Sequence, residues 1–284
     1  MKLYDYVKTI AAQDSPFKFL LAKILMRTRL SPFFIIKRKG YRLRFYPSAN
    51  SRLLWIDKNY ENQVIDFIHD YLRDGDIMID AGANIGVITL ESSVIVGNKG
   101  KIYSIEPHPK TFRFLRGNIQ LNRFDNIEIF NVVLGNSDDT VLFSDKISDD
   151  QNSVSNDKNG IKLLMKRLDD LIHSNQINLL KIDVEGYEKF VLLGASKLLK
   201  ITDCVCFEAV EKSMENQGYT IEDIYDILLK NEFQLFRFKN KKEISSITKS
   251  YRPLKSDPKD FLAIKNIANF IQRTNYKIIT DVQE

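Results

Sequence analysis

From residue 77 to residue 207 short apolar runs alternate with stretches of helical periodicity, and no other feature constrains the fold of this chain as tightly. Ile77 to Asp80 and Lys101 to Ile105 are strand-like, with a helical run from Ile85 to Ile95 between them. Phe112 to Leu121 reads as a helix and Ile127 to Val133 as a strand. Leu179 to Val184 and Cys204 to Phe207 are buried strands on either side of a helical Tyr187 to Leu199. Strands of this length separated by helices join through βαβ crossovers, which give a parallel sheet covered on both faces. The expected fold is therefore α/β, a doubly wound, mostly parallel, Rossmann-like sheet.

The flanks differ from this middle. Tyr60 to Leu72 carries a helical apolar stripe that stops before Asp74-Gly75. Upstream, Phe33 to Lys37 and Tyr41 to Tyr46 form a candidate hairpin around Lys39-Gly40. Pro16 to Leu30 suits an amphipathic basic helix, with Phe17, Leu20, Leu21, Ile24 and Leu25 on its apolar side. The chain thus divides into a basic helix-and-hairpin extension, residues 1–57, and a main domain, residues 58–284. Residues 1–46 hold eleven Lys and Arg against Asp5 and Asp14, so the rest is slightly acidic although the whole carries +5. Ser144 to Gly160 is almost wholly polar and long enough to be a surface loop or a lid. Phe233 to Phe238 and Phe261 to Lys265 read as a closing antiparallel pair joined by a basic excursion, Lys239 to Lys259.

With 44% hydrophobic residues the chain has the apolar content of a folded protein, which excludes disorder. Cys204 and Cys206 lie two apart in an apolar run, too far to bridge along a strand, and read as reduced, buried thiols. No apolar stretch has the length of a membrane span, and the N-terminus lacks a secretory pattern, so the expected location is cytoplasmic. Packing of the basic helix on its own domain is the first reading, and peripheral membrane contact through it is the alternative.

Ligands of open α/β sheets bind beyond the carboxyl ends of the strands, where the winding reverses. The first main strand runs into Asp80-Ala81-Gly82-Ala83-Asn84-Ile85-Gly86. These glycines are spaced G-x-x-x-G, unlike the G-x-G-x-x-G of a dinucleotide loop, and Asp80 places a negative charge at the turn. A carboxylate there repels a pyrophosphate and suits a cation such as S-adenosylmethionine. Glu106 ends the next strand in Ile105-Glu106-Pro107, where a carboxylate accepts hydrogen bonds from ribose hydroxyls. In Leu180-Lys181-Ile182-Asp183-Val184-Glu185-Gly186 a buried strand delivers two carboxylates to its end, on one side if the strand persists through Glu185. Glu188 then falls in a first helical turn.

Several segments together resemble the FkbM-type S-adenosylmethionine-dependent methyltransferases. They are IDAGANIGVITL (79–90), IEP (105–107), the pair Asn118 and Asn122, LGNSDDT (134–140), RLDDLI (167–172) and LLKIDVEGYEKFVLLGA (179–195). In the family's order and spacing they cover roughly residues 58–210. The resemblance implies a class I methyltransferase fold and methyl transfer to oxygen, often a hydroxyl of a sugar, glycolipid or natural product. It implies that Asp80, Gly82, Asn84 and Gly86 form the cofactor loop, with Glu106 on the ribose. Glu61 is implied at the methionine portion of the cofactor, and Val132 and Val133 beside adenine. The chain departs from the commoner wording at Ala81 and Arg167.

A neutral alcohol must lose its proton to accept a methyl group, which calls for a base. Asp183 is the first candidate and Glu185 the second, with substrate binding as the other role for Glu185. A Mg²⁺-assisted version through Asp183, Glu185 and Glu208 ranks below a metal-free route. His108 is either a third candidate base or a cover for the adenosine. Two competing readings are a nicotinamide-dependent oxidoreductase, which the missing glycine fingerprint disfavours, and a non-enzymatic nucleic-acid-binding protein using the basic N-terminus, which the acidic remainder disfavours. The acceptor expected from a basic mouth is an acidic or lipid-linked glycan.

Overall fold

The computed structural model describes residues 15–57, 62–146, 151–155, 157, 159–254 and 257–279. At its centre lies a nine-stranded sheet. Five strands are parallel: β3 (Ile77–Ala81), β4 (Lys101–Ile105), β5 (Ile127–Phe130), β9 (Ile177–Ile182) and β10 (Thr202–Glu208). Their spatial order is β5-β4-β3-β9-β10, so the winding reverses between β3 and β9. That reversal opens a crevice at the carboxyl ends of β3, β4 and β9. α4 (Val87–Val96) and α5 (Pro109–Asn122) make the crossovers on one side of the reversal, and α7 (Glu188–Leu193) begins the crossover from β9 to β10. Every residue of β9 is buried, as befits a central strand covered on both faces, and this includes the charged Lys181.

Next to β10 the sheet continues with antiparallel partners, and only its outermost pair is parallel. β13 (Asp260–Ile264) pairs with β10, and β11 (Gln234–Asn240) pairs with β13, which gives the expected antiparallel closing pair. The basic excursion between them holds a further strand, β12 (Glu243–Ser246), which pairs with β11 and with the edge strand β14 (Lys277–Ile279).

Two expectations change. The run Ile127 to Val133 is not one strand: it breaks at Asn131, whose Nδ2 donates to the carbonyls of Glu106 and Pro107 at 2.8 Å each. The chain then leaves for a small second sheet, in which β6 (Val133–Leu134) and β7 (Asp139–Phe143) flank β8 (Ile161–Lys166). The described residues of the polar segment before Gly160 lie between the antiparallel β7 and β8, where Val154 bridges Phe143.

The N-terminal helix α1 (Pro16–Arg27) forms as expected, but buries Phe19, Ala22 and Leu25 and exposes Phe17, Leu20 and Ile24. Ala22 is fully buried, which lets the helix approach its neighbours closely, and Lys18 reaches the carbonyl of Ile56. α1, the hairpin of β1 (Ile35–Lys37) and β2 (Arg42–Arg44), and α2 (Ala49–Ile56) share a core with Leu90 of α4 and Ile119 of α5. Cys204 and Cys206 are free and buried in β10. Among the described residues no helix is long and apolar enough to cross a membrane.

Candidate active site

The loop after β3 is fixed by backbone contacts before any side chain is considered. Gly82 adopts φ +89°, and a Cβ there would collide with the carbonyl oxygen of Asp183, so the loop crosses the end of β9 only with glycine at this position. The N–H groups of Gly82 and Ala83 both donate to the carbonyl of Ile105 at 3.0 Å. Asn84 N–H then donates to Oε2 of Glu106 at 3.0 Å, and His108 N–H donates to Oε1 at 2.9 Å. Glu106 is thereby held at the end of β4 by backbone donors on both of its oxygens.

The crevice is a cavity of about 520 Å³, within the usual range for small-ligand sites. Its lining includes Gly82, Ala83, Asn84, Glu106, Val132 and Val133. The same lining gathers carboxylates, Asp183, Glu185, Glu208 and Asp260, together with Lys181 and Lys259. Lys181 Nζ donates to Oδ2 of Asp183 at 2.7 Å. Burial works against the Lys181 charge, but Asp183 and Asp80 overcome it and raise its pKa. The turn after β9 is clamped by Glu188, whose Oε1 accepts from the N–H groups of Val184 and Gly186 at 3.1 Å each. Glu185 sits within that turn at φ +55°, so β9 does not persist to it. Asp260 arrives by strand pairing, because it stands opposite Glu208 in the β10–β13 register.

Carboxylate oxygens of Asp183, Glu185 and Glu208 lie within 4.8 Å of one another, close enough to oppose one another's ionisation or hold a divalent cation. Burial, then the charges of Asp183, Glu185 and Asp260, push Glu208 up to about 9. Burial pushes Asp260 up to about 6 against the pull of Lys181. The site therefore keeps protons on part of its carboxyl cluster and still carries an excess of negative charge. That donor set fits a cationic nucleoside with free ribose hydroxyls and would repel a pyrophosphate.

Eight residues singled out in the sequence meet at this one cavity: Gly82, Asn84, Glu106, Val132, Val133, Asp183, Glu185 and Glu208. Asp80 and Gly86 do not line it. Asp80 is fully buried beneath the loop, where its Oδ2 accepts from Thr89 Oγ1 at 2.6 Å and its Oδ1 has no hydrogen-bond partner. Its carboxylate therefore stands behind the loop rather than at the mouth, and burial raises its pKa. Gly86 starts α4. Glu61 lies outside the described residues. His108 caps α5 and is hydrogen-bonded to Asp145 at 3.0 Å, away from the lining. The expected basic mouth is not found among the described lining residues, where carboxylates outnumber lysines. Sequence reasoning missed Lys181, Asp260 and Asn131. A lone lysine in an otherwise apolar strand was the available signal for Lys181, whereas Asp260 had none before its pairing partner was known.

A family model described as the methyltransferase FkbM domain matches residues 80–235. The chain is 25% identical over 178 residues to hexuronic acid methyltransferase AglP of Haloferax volcanii, covering 61% of this chain and 73% of that protein. It is 28% identical over 167 residues to Methyltransferase 1 of Beauveria bassiana, covering 50% of this chain and 64% of that protein. Among solved structures, the methyltransferase FkbM of Methylobacillus flagellatus aligns with a TM-score of 0.46 at 15% identity, covering 75% of this chain and 52% of that one. A putative rRNA-methylase of Clostridium thermocellum aligns with a TM-score of 0.45 at 12% identity, covering 73% of this chain and 97% of that one. The chain therefore spans just under two thirds of the fungal relative and about half of the Methylobacillus structure.

Proposed function

The chain belongs to the methyltransferase FkbM family, and from that premise we propose that it methylates a hydroxyl oxygen of a neutral sugar or glycan. It is an S-adenosylmethionine-dependent methyltransferase with a class I fold. The cofactor, when bound, supplies an electrophilic methyl group on a cationic sulfur. In this reading Glu106 accepts the ribose hydroxyls, the loop from Gly82 to Asn84 lies along the nucleoside, and Val132 and Val133 flank the base.

The observation that carries the acceptor assignment is the carboxyl cluster in the lining of the cavity. Asp183 takes the proton of the acceptor hydroxyl, and Lys181 positions it by holding Oδ2. Glu208, protonated at neutral pH, donates a hydrogen bond that orients the acceptor oxygen. Glu185 accepts from a neighbouring hydroxyl. An acidic sugar would place its carboxylate against this cluster, so a neutral acceptor is favoured. The name of the archaeal relative, a hexuronic acid methyltransferase, supports a sugar acceptor in general but not an acidic one for this chain.

Incubation of neutral and acidic glycans with methyl-labelled S-adenosylmethionine, read by mass spectrometry, tests the reading. The expected product is an O-methylated neutral glycan, and methylation confined to acidic glycans would overturn the acceptor assignment. Asp183→Asn is expected to lower kcat by about 100-fold or more with S-adenosylhomocysteine affinity near that of the unaltered protein. Collapse of that affinity would make Asp183 a cofactor-binding residue instead.

A further inference from the structure

A second concave site lies away from the active-site cavity, and it explains the asparagine pair. It is a cleft of about 470 Å³ between β2 and the C-terminal half of α5, lined by Arg42, Arg44, Tyr46, Gln120 and Arg123 over a floor at Gly117 and Leu121. It shares no lining residue with the active-site cavity. α5 begins beside Glu106 and runs 14 residues, so its far end is about 21 Å from the ribose side of the cavity.

The cleft is built by specific contacts. Asn122 treats β2 as a strand partner would: its Oδ1 accepts from Arg42 N–H at 2.8 Å and its Nδ2 donates to the Arg42 carbonyl at 2.7 Å. Asn118 accepts from Arg44 N–H at 2.9 Å and donates to the carbonyl of Ile85 at 2.8 Å. Two side chains of α5 thus pin Arg42 and Arg44, which the strand alternation sends to one side. Tyr46 stacks on Phe114 with ring centroids 4.3 Å apart, and a Cβ at position 117 would collide with its hydroxyl, which is why a glycine interrupts the helix there. Arg123 ends α5 at φ +57°, a left-handed conformation unfavourable for an arginine side chain.

The electrostatics are one-sided. Among the described residues no carboxylate forms an ion pair with Arg42, Arg44 or Arg123. Exposed Arg113 and Arg116 continue the positive stripe along the same helix at positions i and i+3. A helix C-terminus alone would disfavour an anion, but Arg42 donates to the carbonyl of Leu121 there, and three guanidinium groups outweigh the remaining partial charge. Planar guanidinium forks recognise phosphate oxygens in bidentate fashion.

We propose that the cleft between β2 and α5 is an anion site for a phosphate- or pyrophosphate-bearing ligand, separate from the methyl-transfer centre. The proposal does not depend on the acceptor assigned above. Its test is calorimetric titration of the full chain with inorganic pyrophosphate, beside the variant carrying Arg44→Gln and Arg123→Asn. Asn adopts the left-handed region readily, so the turn is retained. Pyrophosphate is expected to bind the unaltered protein, more weakly at higher salt, and the double variant is expected to lose about tenfold or more in affinity. Binding of S-adenosylhomocysteine should be unchanged in the variant, which verifies its fold. Sedimentation with phosphatidylglycerol vesicles, tested for competition by pyrophosphate, distinguishes the sources: competed sedimentation identifies a lipid headgroup, and none identifies a soluble phosphate, both within the proposal. No pyrophosphate binding by the unaltered protein, or equal binding by the double variant, overturns it.

Discussion

Glu208 keeps its proton at neutral pH because burial and three neighbouring carboxyl groups all oppose its ionisation, and this has consequences for both stability and rate. Its ordinary value is 4.5 and its native value is pushed up to about 9. Between these values the folded protein holds a proton that the unfolded chain has released, so stability falls as pH rises through that window. Glu208→Gln removes this slope. Urea unfolding should find the variant equal to the parent near pH 4 and more stable at pH 8, by up to about 5 kcal/mol. Equal pH dependence of the two proteins would refute the assignment of a buried, protonated Glu208. The same substitution leaves a donor at the position, so the alkaline fall in kcat expected near about 9 should vanish in it. Asp80 shows the limit of residue-level reading. A carboxylate at a strand end suggests a charge at the mouth, yet Thr89 of α4, nine residues onward, holds it beneath the loop.

At the scale of elements, the site depends on how turns meet strands. The loop after β3 and the turn after β9 touch at Gly82, where no side chain is tolerated. Gly82→Ala would force a left-handed φ on a residue with a Cβ and drive that atom into the Asp183 backbone. The expected cost is about 1–3 kcal/mol, seen as a lower Tm and, by calorimetry, as weaker S-adenosylhomocysteine binding. Unchanged affinity would mean that the two turns can separate without disturbing the cavity. β9 itself was readable from an apolar run interrupted only by Lys181 between Leu179 and Ile182, and its role in delivering Asp183 followed. The break at Asn131 was not readable, because Ile127 to Val133 is apolar enough to be one strand. What divides it is a hydrogen bond to the chain segment at Glu106 and Pro107, a partner 24 residues distant or more.

For the whole molecule, the N-terminal layer is continuous with the rest, since Leu43, fully buried, shares a core with α4 and α5 and Tyr41 donates to Glu91 at 3.0 Å. Leu43→Ala should therefore lower the single unfolding transition seen by calorimetry, at a cost of about 2–5 kcal/mol. Two separate transitions would instead make residues 1–57 an independent unit. The alternation of apolar runs by itself determined the parallel, doubly wound core, because strand and helix periodicities are local properties of the chain. The G-x-x-x-G loop and the acids at Glu106 and Asp183 were legible for the same reason: strand ends in such a sheet gather at one edge. Only the tertiary structure decided that Glu208 and Asp260 face each other across β10 and β13, since pairing register depends on a partner about fifty residues away. It also decided which face of α1 is buried: Phe19, Ala22 and Leu25 pack inward, whereas Phe17, Leu20 and Ile24 of the expected apolar side are exposed. The division of charge arose in the same way. Arg42 and Arg44 of β2 meet Arg123 at the end of α5 across about 80 residues of chain, and acidic residues from four separate segments line the active site, because a side chain's neighbours in space are set by packing rather than by order along the chain.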